Sequence, residues 1–186
     1  MAKHYGLWTR RRQFESARGY LTAWRIKLPD IEEEDFTKTI CEYTGEELPR
    51  EHPIFAYQME MKMAQAEMGL AIAQGVRLQA TRELLDMLDT LYQVLIDSES
   101  KLPDAQRKML NHADEVWLDL KEKMNQGDMR AAHLLSSHAH MGMALSYLLQ
   151  ARKDEKFVNL IPEYLIKYLG KLSVFTYREA IGHVML

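Results

Sequence analysis

Between Ile54 and Ser98 the chain contains no proline and only two glycines, Gly69 and Gly75, and is built from Met, Ala, Gln, Leu and Glu. These residue types lose little side-chain freedom in a helix, and nothing in the stretch forces the backbone out of one. It reads as a helical spine on which the other segments pack. Its first part is locally ambiguous. Phe55, Tyr57, Met59, Met61 and Met63 alternate with Ala56, Gln58, Glu60 and Lys62, which is strand periodicity. The residue types favour helix, since no β-branched side chain lies between Phe55 and Leu70. Ala64, Ala66, Gly69, Ala71, Ala73 and Gly75 would let a neighbouring helix approach closely. Beyond them Leu84, Leu88, Leu91 and Leu95 form a stripe. Gly75 leaves one long helix or two collinear ones open.

The downstream segments follow the same 3.6-residue period. A helix is expected from Asp104 to about Gly127, with Met109, Ala113, Val116 and Leu120 inward. Another should run from Asp128 to about Lys153, with Leu134, His138, Met141, Leu145 and Leu148 as its apolar stripe. A short helix ending near Gly170 and a last one capped by Ser173 complete the chain. The fold class is therefore all-α: a bundle of about six helices around a long central helix (54–98), with an N-terminal basic amphipathic helix. Residues 1–51 form an arm and 52–186 the bundle core.

The 186 residues suffice to bury a core. A single cysteine excludes an internal disulfide and fits a reducing compartment. No run of eighteen apolar residues marks a membrane span, and the first residues lack the apolar stretch of a signal peptide. The cytoplasm is the expected location, without a membrane partner.

The net charge of −3 conceals an asymmetry. Residues 1–27 carry seven basic residues (Lys3, Arg10, Arg11, Arg12, Arg18, Arg25, Lys27) against Glu15, and residues 28–51 carry nine acids against Lys38 and Arg50. Residues 9–28 read as a helix with Phe14, Ala17, Leu21, Trp24 and Leu28 on one face. Arg11, Arg18 and Arg25 recur every seven residues along its flank, about 10 Å apart. Arg10, Arg11, Arg12, Arg18, Arg25 and Lys27 are the candidate nucleic-acid contacts. Trp8, Phe14, Tyr20 and Trp24 are the candidate partner contacts. In a chain acting alone, a solvated flank or pairing with the acidic segment accounts for the arginines. In an assembly, a polyanion does. After Pro29, Asp30 should cap a short helix reaching about Tyr43, with residues 44–53 irregular.

The motifs that would announce catalysis are missing from the sequence: no Walker loop, G-x-G-x-x-G, G-x-S-x-G or H-E-x-x-H. A ferritin-like di-metal site needs E-x-x-H pairs, and no glutamate here has a histidine three residues on. Cys41 and His52 bracket a turn like half of a zinc knuckle, but offer two of the four ligands such a site takes; a small buried thiol and a loop histidine is the preferred reading. His138 sits in the apolar stripe, as a core histidine with a hydrogen-bonded partner. His133 and His140 share a face two turns apart, too far to hold one metal without other helices. No metal site, cofactor or catalytic residue is expected.

Three functions remain. The first is a non-catalytic helical subunit of a larger assembly, meeting other subunits or its own copies and contacting DNA or RNA through the basic helix. The second is a protein-binding adaptor without nucleic acid. The third, least favoured, is a metal-dependent enzyme using His112, His133 and His140.

Overall fold

The computed structural model of the protein describes residues 37–75, 79–112 and 129–185, the side chains of 79–81 and 183–185 excepted. Two short strands, β1 (Lys38–Ile40) and β2 (Glu47–Pro49), pair antiparallel with Thr39 opposite Leu48. Six helices follow among the described residues: α1 (Pro53–Ala73), α2 (Gln79–Gln93), α3 (Asp104–Asn111), α4 (Met129–Ala151), α5 (Glu155–Val158) and α6 (Glu163–Met185). The chain is an all-α bundle with a small hairpin at its edge.

The spine is helical from Pro53 onward, Phe55–Met63 included. It is not one rod, however. Gly75 takes a φ of +90°, a left-handed conformation that costs other residues strain. Past it the chain folds back. Gln65 Nε2 donates to Asp89 Oδ1 at 2.6 Å, although twenty-four helical residues laid end to end would span about 36 Å. The two halves of the spine therefore pack side by side, and the collinear alternative falls with the single rod.

Core positions on α1 follow a heptad rhythm: Ile54, Tyr57, Met61, Ala64, Met68 and Ala71 are buried. On α4 the buried set is Ala131, Leu134, Ser137, Met141, Ala144, Leu148 and Ala151. Steps of three and four keep a seam facing one partner along several turns. α1 lies along α4, α4 along α6, and α2 bridges α1 and α6, closing a four-helix ring. α2 buries Leu84, Met87, Leu88 and Leu91 in the middle of that ring. α3 rests on α6, where Lys171 Nζ donates to Asn111 Oδ1 at 2.8 Å.

Several expected boundaries move. A helix from Asp30 to Tyr43 does not form over its described part. β-branched Thr37, Thr39 and Ile40 favour extended backbone there, and Gly45 (φ +69°) supplies the left-handed turn that sends the chain back. The hairpin thereby delivers Cys41 and Leu48 to the core. Asp104 is the first residue of α3 rather than its cap, and its carboxylate pairs with Arg107. The helix read over 113–127 lies outside the described residues. No break separates Gly170 from Ser173. α6 runs straight through both, with Leu145 packed beside Gly170 and the Ser173 hydroxyl turned to α4 instead of capping.

Candidate functional site

The residues of the basic arm, Arg10, Arg11, Arg12, Arg18, Arg25 and Lys27, and its aromatics, Trp8, Phe14, Tyr20 and Trp24, lie outside the described residues. What is described is the surface of the bundle and the polar groups set into its seams.

Both histidines flagged by their shared face turn to acids on α1. His133 Nδ1 donates to Glu67 Oε2 at 2.6 Å, and His140 Nδ1 to Glu60 Oε2 at 2.6 Å. An ionised carboxylate only accepts, so the proton sits on Nδ1 in each pair. Between them the Ser137 hydroxyl donates to the Ala64 carbonyl at 2.8 Å. The residue numbers in these three contacts run in opposite directions, which fixes α1 and α4 as antiparallel. They also fix the register: Glu60 beside His140, Ala64 beside Ser137, Glu67 beside His133. All four side chains of the two pairs are half-buried. The spacing of seven on α4 is thus matched by a spacing of seven on α1. Two separate histidine–glutamate pairs result, rather than one convergent cluster.

His138 has the partner expected of a core histidine. Its Nδ1 lies 2.9 Å from both the carbonyl oxygen and the hydroxyl of Ser173, and its ring meets Tyr177 at 5.1 Å. His112 Nδ1 bonds back to the Lys108 carbonyl within α3's last turn. Among the described residues no three His, Cys, Asp or Glu side chains converge as a metal ion would require.

Cys41 is buried, as read. His52 has a role that the sequence did not announce. It is the N-cap of α1, its Nδ1 accepting from the Ile54 amide at 3.2 Å with Pro53 at the first helical position. Its ring stacks on Phe157 at 4.9 Å, and Nε2 lies 3.6 Å from Asp154. The ring is fully employed in tying the hairpin end of the bundle to α5. Nearby, burial first, and then the neighbouring phenols, pushes the hydroxyls of Tyr43 and Tyr57 far above the ordinary tyrosine range. The Tyr57 hydroxyl has no hydrogen-bond partner among the described residues, whereas that of Tyr43 lies against Gln58 and Tyr92.

The larger feature is the outer surface of the α1–α4 pair. The exposed positions of α2 are Arg82, Asp86, Asp89 and Gln93; those of α6 are Glu163, Lys167, Arg178 and Gly182. That is the polar exterior expected of a helix facing water. On α1 the exposed positions are Met59, Lys62, Met63, Ala66, Leu70 and Ala73, with one charge among them. On α4 they are Met129, Ala132, Ala139, Gly142, Met143, Ser146, Leu149 and Gln150, with none. Met59 is 60 % exposed, Met63 43 % and Met143 47 %. At 100° per residue, Met63, Leu70 and Met59 follow Glu60 and Glu67 around α1, moving away from the core. Ser136, Met143 and Ala132 follow His133 and His140 around α4. The two histidine–glutamate pairs are therefore the floor of one broad, nearly uncharged face.

The described residues thus form a four-helix bundle whose exposed positions are mostly charged on α2 and α6 and nearly uncharged on α1 and α4. The chain belongs to the DUF1940 family, described as a domain of unknown function, whose match spans residues 40–182. No curated protein matches it. Among the described residues no helix is long and apolar enough to cross a membrane.

Proposed function

We propose that the chain is a non-catalytic helical subunit of a larger assembly. In this reading the bundle makes its protein contact through the outer face of α1 and α4, and the basic segment 9–28 meets a nucleic acid or another polyanion. The observation that carries it is the exterior of α4, a helix of 23 residues whose only Lys, Arg, Asp or Glu is Arg130 in its first turn. A helix with almost no charge around its circumference offers few groups that must face water, and is normally covered on most sides. Here one side remains for a partner, and large apolar patches on soluble proteins mark such contacts.

The polyanion half of the proposal is supported by the heptad spacing of Arg11, Arg18 and Arg25 and by the excess of positive charge in residues 1–27. Its test is binding to single- and double-stranded nucleic acid as a function of salt. Counterion release predicts steep weakening as salt rises, and replacing the three arginines together flattens the dependence. Absence of binding at low salt, or binding indifferent to the triple substitution, removes the nucleic acid and leaves a protein-binding adaptor.

A further inference from the structure

The exposed face of α1 and α4 is built in two unlike halves. α1 contributes a ridge of long side chains, Met59, Met63 and Leu70, with Ala66 between them. α4 contributes a trough of short ones, exposed Ala132 and Ala139 with half-buried Ser136 between them, closed at its ends by Met129 and Met143. A surface carrying both a ridge and a matching trough is self-complementary. A two-fold axis running parallel to the helices lays each ridge in the trough of the other copy, so both contacts form at once.

We infer that this face is an isologous interface with a second copy of the chain, an inference that rests on the assembly reading above and names its partner. The intrachain register settles which residues meet. Because Ala64 lies level with Ser137 and Glu60 with His140, such an axis sets Met63 between Ser136 and Ala139 of the second copy. Met59 then falls between Ala139 and Met143, and Leu70 between Met129 and Ala132. α1 of each copy runs antiparallel to α4 of the other, as within the chain.

Area and charge agree with this occupant. Helices of 21 and 23 residues are about 32 and 35 Å long, and two side by side present about 20 Å of width. The flat footprint of about 650 Å² is of the same order as the roughly 800 Å² per partner of a stable complex. The acids bordering the seam, Glu60 and Glu67, are already paired with histidines, so bringing two copies together opposes no bare like charges. Lys62 stands on the far side of α1 from the seam. The lack of Lys and Arg beside the seam also disfavours a lipid surface, which an amphipathic helical face recruits through basic residues.

The test is sedimentation equilibrium of the full chain, wild type and two charge variants. Met63→Glu and Ala139→Lys each place a charge in both contacts of a homodimer. Each raises the dissociation constant on the order of a hundredfold or more. Mixed in equal amounts they recover a dimer, because one contact then holds a Glu–Lys pair and the other is native. Asp86→Lys, on the charged side of the bundle, leaves the dimer intact. Circular dichroism of each variant confirms its fold before the masses are compared. A wild-type monomer, a mass that climbs past two copies with concentration, or variants that fail to recover on mixing overturns the inference. So does a monomer that co-sediments with phosphatidylcholine vesicles, which would give the face to a membrane. Nucleic-acid titration of the same samples separates the two ideas: salt-dependent binding by a monomer refutes the dimer and leaves the assembly reading standing.

Discussion

The histidine–glutamate pair at one end of the seam gives a quantitative handle on the register of α1 against α4. The perturbation is a double-mutant cycle on Glu67 and His133, with Glu67→Gln, His133→Ala and the double variant. The oxygen and nitrogen are 2.6 Å apart, and the side chains are 20 % and 21 % exposed. A hydrogen bond to a charged partner is worth about 1.5–3 kcal/mol when sheltered, and an exposed ion pair about 0.2–1 kcal/mol. A pair sheltered over four-fifths of its surface falls between, at about 1–2 kcal/mol of coupling. Glu67→Gln keeps the shape and an acceptor but removes the charge. It should therefore lose less than His133→Ala, which also exposes Glu67. The assay is urea unfolding at one fixed protein concentration, because self-association would otherwise enter the apparent stability. Coupling below about 0.3 kcal/mol, within the usual error of additivity, would mean that the two side chains do not meet. The antiparallel register deduced for α1 and α4 would then lose one of its three supports.

Other consequences are simpler. Gly75→Ala forces a side chain into φ +90° and should destabilise the fold by about 1–2 kcal/mol. Gly69→Ala, inside α1 with nothing within 4 Å of the added methyl, should stabilise it by about 0.5–1 kcal/mol; opposite shifts in the urea midpoint check both. His52→Ala removes the N-cap of α1 and the stack on Phe157 together, for about 1–2 kcal/mol. The fold raises the pKa of Tyr43 and Tyr57, burial being the first cause. Their contribution is then complete below the unfolded tyrosine value of about 10 and is lost as pH rises above it. Stability should fall steadily above about pH 10, and tyrosinate absorbance from these two residues should appear only with unfolding. Ionisation of all the tyrosines in the folded protein would contradict their burial.

The bundle was legible wherever one periodicity dominated. Leu84, Leu88, Leu91 and Leu95 read as a stripe and are buried, as are Leu134, Met141 and Leu148. His138, placed in that stripe, proved to be half-buried at its edge and bonded to Ser173. Gly75 was visible as a breaker, but the direction of the chain beyond it depends on tertiary packing that no local rule contains. Ser173 looked like a cap because its hydroxyl can serve an amide. It serves α4 instead, since α6 passes close enough there to make a better partner. His52 was hidden for the converse reason: histidine is a rare N-cap, and only the geometry of Pro53 and Ile54 reveals it. The seam was half-readable. The seven-residue spacing of His133 and His140 was on view, and so was that of Glu60 and Glu67. Nothing in the sequence said that α1 and α4 are neighbours. The uncharged exterior of α4 could have been noticed from its composition alone, but a helix without charges reads as core until a structure shows one side of it bare.

The most direct measurement is the mass of the full chain in solution at micromolar concentration, by sedimentation equilibrium. A species of twice 21.7 kDa that dissociates on Met63→Glu and re-forms on mixing with Ala139→Lys is the expected result. A wild-type species of 21.7 kDa that does not change with concentration would contradict the dimer and leave the apolar face of α1 and α4 without its partner.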